Sequence, residues 1–196
     1  MKEKMSVGIL LFENAEVLDF AGPFEVFSVT SELNNHELFD VFTIGETRAP
    51  IIAVNGLSVN PKFDIKSCPH IDILIIPGGY GTRDLTHNSV VLNWINKAYL
   101  ESEITMSICS GATLLGTLGL LDDRPYCTHH EVYERMQSIV PTGIPQPNLR
   151  FVCADKIYTS GGISAGIDLS FHVVEKLHGL QIAERTAKYM EYERKE

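Results

Sequence analysis

The chain has 196 residues, 44% of them hydrophobic, and its 25 acidic against 16 basic side chains give a formal net charge of -9. A chain of this length is large enough to bury roughly 70% of the surface that its unfolded form exposes. The excess of negative charge argues against a nucleic-acid partner, because binding phosphates requires clustered Lys and Arg. We therefore expect one globular domain over residues 1–196.

The N-terminal apolar run is interrupted by Glu13 and Asn14, which makes it too short for a signal peptide or a membrane span. The four cysteines show neither CxxC spacing nor the density of a secreted disulfide framework. We therefore expect reduced thiols, a cytoplasmic location, no membrane partner and no structural metal.

Short β-branched apolar runs alternate with segments of helical periodicity, and Pro23 suits the first turn of the first helix. Residues 50–65 indicate a hairpin or loop excursion around Asn55-Gly56. Such alternation implies right-handed crossovers, so we predict an α/β flavodoxin-like three-layer sandwich with a mostly parallel sheet and helices on both faces. The predicted strands are residues 5–12, 38–45, 71–79 and 103–109, and the predicted helices are residues 23–33, 89–100, 130–140 and 165–180.

Cys109 ends the fourth predicted strand, and the very small residues Ser110, Gly111 and Ala112 follow it. A sharp strand-to-helix turn that carries a nucleophile needs small neighbours, and it presents the side chain at the carboxyl edge of the sheet. The N-terminus of the next helix favours a thiolate there, which predicts a lowered pKa for Cys109. The alternative is that Cys109 is a small buried core residue.

Four separated segments of the chain resemble, in order and spacing, the ThiJ/PfpI superfamily with its class I glutamine-amidotransferase-like fold. Within that superfamily, "LDFAGP", "CSGATLLGTLGLLD" and "GGISAGID" are most similar to isocyanide hydratases and to the amidase-like domains of some AraC-type regulators. The four segments are residues 8–27, 76–81, 107–130 and 158–177.

The resemblance implies that Cys109 is the nucleophile and that Asp19 is the acidic group beside its sulfur. Isocyanide hydratases have an aspartate in this position, whereas many relatives called proteases, deglycases or chaperones have a glutamate. Asp19 therefore favours the hydratase branch. Taken from the residues alone, the alternative for Asp19 is a helix N-cap near Pro23.

The glycine-rich segments are expected to line the site with backbone groups. The N–H of Gly79 or its neighbour, together with that of Ser110, would form an oxyanion-type pocket, while the alternative for Gly79 is a tight turn. The resemblance implies that the main chain at Gly161, Gly162 and Ile163 helps to hold the acid and a water. Here the alternative is a glycine-rich turn that packs a helix against the sheet.

His129 matches a histidine that many relatives place near the nucleophile, where it either accepts or orients the thiol proton or only supports the pocket. The family commonly has an aromatic residue where His130 stands, which leaves the pocket lining and the substrate open. Two adjacent histidines point in different directions, which argues against a metal site. Asp168 is expected to be a structural hydrogen-bonding residue.

The resemblance predicts an enzyme that hydrates an isocyanide to an N-substituted formamide through a Cys109 thioimidate, with Asp19 as the acid that later activates water. Burial and the adjacent sulfur would raise the pKa of Asp19 enough for it to hold a proton during part of the cycle. No metal or organic cofactor is expected.

Three alternatives remain: an amidase or protease-like enzyme, a glyoxalase or deglycase-type cysteine enzyme, and a non-catalytic ligand-sensing or stress-response domain. The family's regulators carry a DNA-binding region after this domain, and the residues after the last motif are too few for one, which argues against that alternative. Relatives are usually dimers, so we expect a small-molecule substrate and a homodimer with residues 12–27 at the interface.

Overall fold

Strands and helices alternate along residues 4–194, the part of the chain that this computed structural model describes. The strands are β1 (Met5–Leu11), β2 (Phe39–Gly45), β3 (Ile51–Ile52), β4 (Ser58–Val59), β5 (Phe63–Asp64), β6 (Ile73–Ile76), β7 (Ile104–Ile108), β8 (Pro125–Tyr126), β9 (Ile144–Pro145), β10 (Phe151–Ala154) and β11 (Ile157–Ser160). The α-helices are α1 (Val17–Glu32), α2 (Thr82–Leu85), α3 (Ser89–Glu101), α4 (Ala112–Thr117), α5 (Tyr133–Ile139), α6 (Ala165–His178) and α7 (Leu180–Tyr189).

The central sheet has seven strands in the order β10-β11-β7-β6-β1-β2-β5. Only the β10-β11 pair is antiparallel, and every other pair in the sheet is parallel. Strands β6 and β7 are buried along their whole length, because helices cover both faces of a parallel sheet. The predicted flavodoxin-like α/β architecture is confirmed. Since β1, β6, β7 and β11 run in the same direction, the residues after them meet at one edge of the sheet.

Helix α1 begins at Val17, six residues before the predicted start, so Pro23 lies inside the helix and not in its first turn. The start is fixed from outside the helix, because the N–H of Glu16 donates to the carbonyl of Gly78, 2.9 Å away. Proline has no N–H, so Pro23 cannot donate to the carbonyl of Asp19 one turn earlier. The early start places Asp19 in the first turn of α1, at the carboxyl edge of the sheet where Glu16 bonds to Gly78.

Two elements at the C-terminal end were not predicted. Strands β10 and β11 form a hairpin whose turn has Asp155 at a φ of +53°, and α7 follows a break at Gly179, where φ is +91°. The hairpin expected around Asn55-Gly56 is confirmed, since β3 and β4 pair across a turn in which both residues have positive φ. None of the helices within residues 4–194 combines the length and the apolar character that a membrane crossing requires.

Candidate active site

Cys109 occupies a strained turn between β7 and α4, with a φ of +57°. Residues with a Cβ rarely adopt this left-handed conformation, and it costs on the order of 1–3 kcal/mol. The turn is also crowded: a Cβ on Gly78 would lie 2.8 Å from that of Cys109, and one on Gly111 would lie 2.3 Å from the carbonyl oxygen of Ile76. The small residues around Cys109 are therefore required by the geometry of the turn, as the sequence predicted.

Two hydrogen bonds from other segments hold the backbone of Cys109 in this conformation. Its N–H donates to the carbonyl of Gly161 over 3.1 Å, and its carbonyl accepts from the hydroxyl of Thr128 over 2.8 Å. Thr128 is fully enclosed and was not among the residues that the sequence singled out. Its position directly before His129 was the only available signal. Both the N–H and the carbonyl of Cys109 are thus held by other segments of the chain, which fixes the strained turn.

Asp19 is completely buried beside Cys109. Its Oδ2 accepts from the N–H of Gly78 over 2.9 Å, whereas its Oδ1 is enclosed and has no partner of hydrogen-bond geometry within residues 4–194. Burial raises the pKa of Asp19 to about 7, and the nearby Glu16 charge adds to the increase, while the Gly78 N–H, the Cys109 thiol and the Ile163 N–H lower it. The N-cap alternative is wrong, because the N-cap residue is Glu16.

The pKa of Cys109 is raised to about 12, which corrects the expectation of a lowered value. Burial is the main cause, and the negative charge of Asp19 is the second. The N–H groups of Ser110 and Ile163 act in the expected direction on the sulfur, but they are outweighed. The Asp19 charge raises the pKa of Cys109 and the Cys109 thiol lowers that of Asp19, so the two side chains titrate as a coupled pair.

The backbone donors near the sulfur differ in part from those expected. Gly79 donates its N–H to the hydroxyl of Ser110 over 2.9 Å, and the Gly78 N–H is engaged by Asp19. Gly79 has a φ of +116°, and a Cβ there would lie 2.3 Å from the carbonyl oxygen of Asn14. A glycine is therefore required by the tight turn, which was the alternative to a role in an oxyanion pocket. The N–H of Ser110 lies near the sulfur and lowers the pKa of the thiol, and its part in an oxyanion-type pocket stays a prediction.

The segment after β11 approaches the pair as the resemblance implied. Gly161 accepts from the Cys109 backbone, and the N–H of Ile163 lies near enough to lower the pKa of both the thiol and the Asp19 carboxyl group. Ile163 has a φ of +52°, a region that β-branched residues avoid. A Cβ on Gly162 would lie only 2.2 Å from Cδ2 of His129, so this glycine makes room for the imidazole ring.

His129 borders the cavity that contains Cys109, but no hydrogen bond joins its ring to the sulfur within residues 4–194. Its Nδ1 accepts from the N–H of Glu131 over 3.3 Å, so a neutral ring carries its proton on Nε2. His130 is exposed and stays outside the cavity wall, so the absence of an aromatic residue there leaves the lining unchanged. Asp168 is confirmed as structural, since its Oδ2 accepts from Nε of Arg150 over 2.7 Å.

The cavity over Cys109 has a volume of about 310 Å³. Its wall includes apolar atoms of Val132 and Ile163 together with two arginines, Arg83 and Arg135, that the sequence did not single out. An adjacent cavity of about 430 Å³ is larger, but neither Cys109 nor Asp19 lines it. Across residues 4–194, no group of three or more His, Cys, Asp or Glu side chains is placed to hold a metal ion.

Comparison with known proteins agrees with this architecture. The isonitrile hydratase of Pseudomonas putida is 28% identical over 190 residues, covering 96% of this chain and 78% of that protein. The transcriptional regulator GbdR of Pseudomonas aeruginosa is 25% identical, but this chain spans only 52% of its length. The glutathione-independent glyoxalase DJR-1.2 of Caenorhabditis elegans is 26% identical over 71% of this chain and 74% of that protein.

The fold also matches solved structures. A ThiJ/PfpI family protein from Pseudomonas syringae superposes with a TM-score of 0.87 over 98% of this chain and 77% of that chain, at 22% identity. At that identity the similarity establishes the fold alone. The DJ-1/PfpI family itself matches the sequence over residues 5–176, which includes both Cys109 and Asp19. The chain therefore belongs to the DJ-1/PfpI family.

Proposed function

We propose that the protein adds water to an isocyanide and releases an N-substituted formamide. The observation that carries this proposal is the buried Asp19 carboxyl group, with a pKa raised to about 7, beside the Cys109 thiol on its strained turn. A nucleophile and a group that both accepts and donates a proton near neutral pH are what the reaction needs. The similarity to an isonitrile hydratase over nearly the whole chain supports the same reaction.

In the first half of the reaction, the terminal carbon of the isocyanide receives a proton and a sulfur atom. Asp19 takes the proton from the Cys109 thiol as the sulfur forms a bond to that carbon, and it delivers the proton to the same carbon. The product is a thioimidate, in which the former isocyanide carbon carries one hydrogen and is joined to Cys109. Because the proton moves within the pair, the thiol does not need a low pKa of its own.

In the second half, water adds to the thioimidate carbon. Asp19 accepts a proton from the water and passes it to the nitrogen, which gives a tetrahedral intermediate bearing a hydroxyl group. That intermediate collapses: its hydroxyl proton leaves, the carbon–sulfur bond breaks, and the formamide departs as Cys109 regains its proton. The N–H groups of Ser110 and Ile163 favour the departing thiolate, because they interact with the charged sulfur.

A second candidate is glyoxalase-type chemistry, for which the similarity to the nematode glyoxalase is the specific observation. An amidase-type enzyme would also use Cys109, whereas a ligand-sensing domain would bind small molecules through the same cavity without turnover. The length of the acidic residue separates the first two proposals, since the resemblance associates Asp19 with the hydratase branch.

The deciding experiment compares three substrate classes on the same purified, reduced protein. Alkyl and aryl isocyanides, methylglyoxal and simple amides are incubated in parallel, and the products are identified by nuclear magnetic resonance. We expect formamide from the isocyanides, with a rate that a chelator leaves unchanged. Conversion of methylglyoxal or an amide without any formamide would overturn the hydratase proposal while retaining the role of Cys109.

A further inference from the structure

Two arginines from different helices lie in the wall of the Cys109 cavity. Arg83 projects from α2 and is exposed, and Arg135 projects from α5 and is half-buried. Burial and the positive charge of Arg83 both lower the pKa of Arg135, which shows that the two guanidinium groups act on each other. Bringing two like charges together is unfavourable unless something of opposite charge lies between them.

Neither guanidinium group has a hydrogen bond or an ion pair within residues 4–194. Of the five other arginines, four pair with a carboxylate, whereas Arg185 on α7 has no ion pair within residues 4–194. The contrast is informative because carboxylates are in excess, 25 against 16 basic residues. The four paired arginines are Arg48, Arg124, Arg150 and Arg194.

The carboxylates in the same cavity wall do not neutralise the pair. Glu131 is four residues before Arg135, yet its oxygens lie beside the histidines, 4.0 Å from Nδ1 of His129. Glu16 is close enough to Asp19 for its negative charge to help raise the pKa of that carboxyl group. Neither carboxylate of the wall forms an ion pair with Arg83 or Arg135 within residues 4–194, so both guanidinium groups lack a counter-ion in the cavity that Cys109 also lines.

We propose that Arg83 and Arg135 form a carboxylate-binding subsite, so that the substrate is an isocyanide bearing a carboxylate group. A guanidinium fork matches the two oxygens of a carboxylate, and two of them bind it more selectively than one. A cavity of about 310 Å³ suits a small ligand of this kind. The identity of the reacting group rests on the proposed function, whereas the charge preference of the cavity can be tested without it.

The first test uses two alkylating reagents that differ only in charge. Iodoacetate and iodoacetamide react with the same sulfur, and the ratio of their rates at Cys109 cancels any change in thiol reactivity. We expect Arg83→Gln and Arg135→Gln each to lower the iodoacetate-to-iodoacetamide ratio by about 10-fold, the value of one charged hydrogen bond. Arg48→Gln removes a charge that is paired with Asp64 elsewhere, so it is the matched control and should leave the ratio unchanged.

The exposed thiol of Cys153 gives an internal reference in every sample. Peptide mass mapping reports both sites at once, and the ratio at Cys153 should be the same in all variants. Arg135→Lys retains the charge but not the planar fork, so we expect an intermediate ratio at Cys109. This second variant also covers the case in which Arg135→Gln does not fold.

The second test measures kcat/KM for isocyanides whose carboxylate is attached through spacers of different length, each against its own primary amide. We expect the wild type to prefer the carboxylate by about 10-fold or more at one spacer length, and either arginine variant to lose most of that preference.

The outcomes separate the two proposals. If no isocyanide is hydrated but the alkylation ratio falls in the arginine variants, the subsite stands and the hydratase proposal is wrong. If neutral isocyanides are hydrated while neither the ratio nor the carboxylate preference responds to the arginines, the subsite is overturned and the hydratase proposal stands.

Discussion

Cys109 and Cys127 are both buried, and burial raises the pKa of both thiols, to about 12 and about 11. Their surroundings are otherwise opposite. The Cys127 sulfur is closed in and lies within 3.4 Å and 3.5 Å of the carbonyl oxygens of Gln146 and Leu149. Cys109 instead lies on a left-handed turn, faces the carboxyl group of Asp19 and opens onto a cavity.

Burial keeps both thiols protonated, and a buried cysteine without further features is expected to be unreactive. What distinguishes Cys109 is the neighbouring carboxyl group of Asp19, together with access to a cavity. These two features arise from segments far apart in the chain, because Asp19 comes from α1 and the cavity wall from α2 and α5. The predictions below remove one feature at a time.

The largest effect is expected for Cys109→Ala, with Cys127→Ala as the matched control. Removing the nucleophile should reduce isocyanide hydration by about 10⁴-fold or more, since the groups that form a covalent intermediate act as a unit. Cys127→Ala removes an equally buried thiol without touching the cavity and should change kcat/KM by less than about 3-fold, within the range of substitutions outside a catalytic unit. Formamide production measures both, with circular dichroism as the check on folding. Comparable losses in the two variants would contradict the distinction.

Asp19→Asn removes the proton carrier and keeps the shape of the side chain. We expect kcat to fall by about 10²–10⁴-fold, the usual contribution of general acid–base help. The double variant with Cys109→Ala should lose little more than Cys109→Ala alone, because the two side chains act as a pair. Full activity in Asp19→Asn would show that another group moves the proton.

The same substitution should stabilise the fold at high pH. The folded pKa of Asp19, about 7, lies above the ordinary aspartate value of 3.8, so the native state binds more protons than the unfolded state between these two values. Stability is therefore lost as the pH rises through this window, and the loss is complete above pH 7, with an upper bound of about 4 kcal/mol. Asparagine does not ionise, so it avoids this loss of stability.

Urea unfolding of both proteins at pH 4 and pH 8 tests this. Asp19→Asn should exceed the wild type in free energy of unfolding at pH 8 by up to about 4 kcal/mol, and the difference should shrink toward pH 4. Asparagine still offers an oxygen to the Gly78 N–H, so this hydrogen bond is retained and does not contribute to the difference in stability. A variant that is less stable at pH 8 than at pH 4, relative to the wild type, would refute the raised pKa.

Local pattern in the sequence was sufficient for the four adjacent strands β7, β6, β1 and β2 of the sheet and for the turn at Cys109, but not for the outer strands. Strands β6 and β7 are nearly uninterrupted apolar runs, and the small residues after Cys109 have a steric cause in the close approach of Gly78. The start of α1 was missed because a bond between Glu16 and the Gly78 carbonyl, not Pro23, sets it.

The electrostatics of the site could not be predicted from local pattern, because they depend on which segments meet. The helix N-terminus after Cys109 favours a thiolate, but burial and the charge of Asp19 outweigh it and raise the pKa of the thiol. The meeting of Arg83 and Arg135 is likewise a tertiary event, since each arginine alone is an ordinary surface residue of a short helix.

The smallest effect is expected for His129→Gln. Its Nδ1 already accepts from the Glu131 N–H, and no hydrogen bond joins its ring to the Cys109 sulfur within residues 4–194, so the proton does not have to pass through it. We expect kcat to fall by less than about 10-fold, well below the 10²–10⁴-fold typical of a general acid or base. Gly162→Ala is the companion variant, because its new Cβ would lie 2.2 Å from Cδ2 of His129 and displace the ring from its present position. If the ring only borders the cavity, this change should raise KM more than it lowers kcat. A 10²-fold loss of kcat in His129→Gln would instead place the imidazole in the proton path, and the Cys109–Asp19 pair would then be a triad.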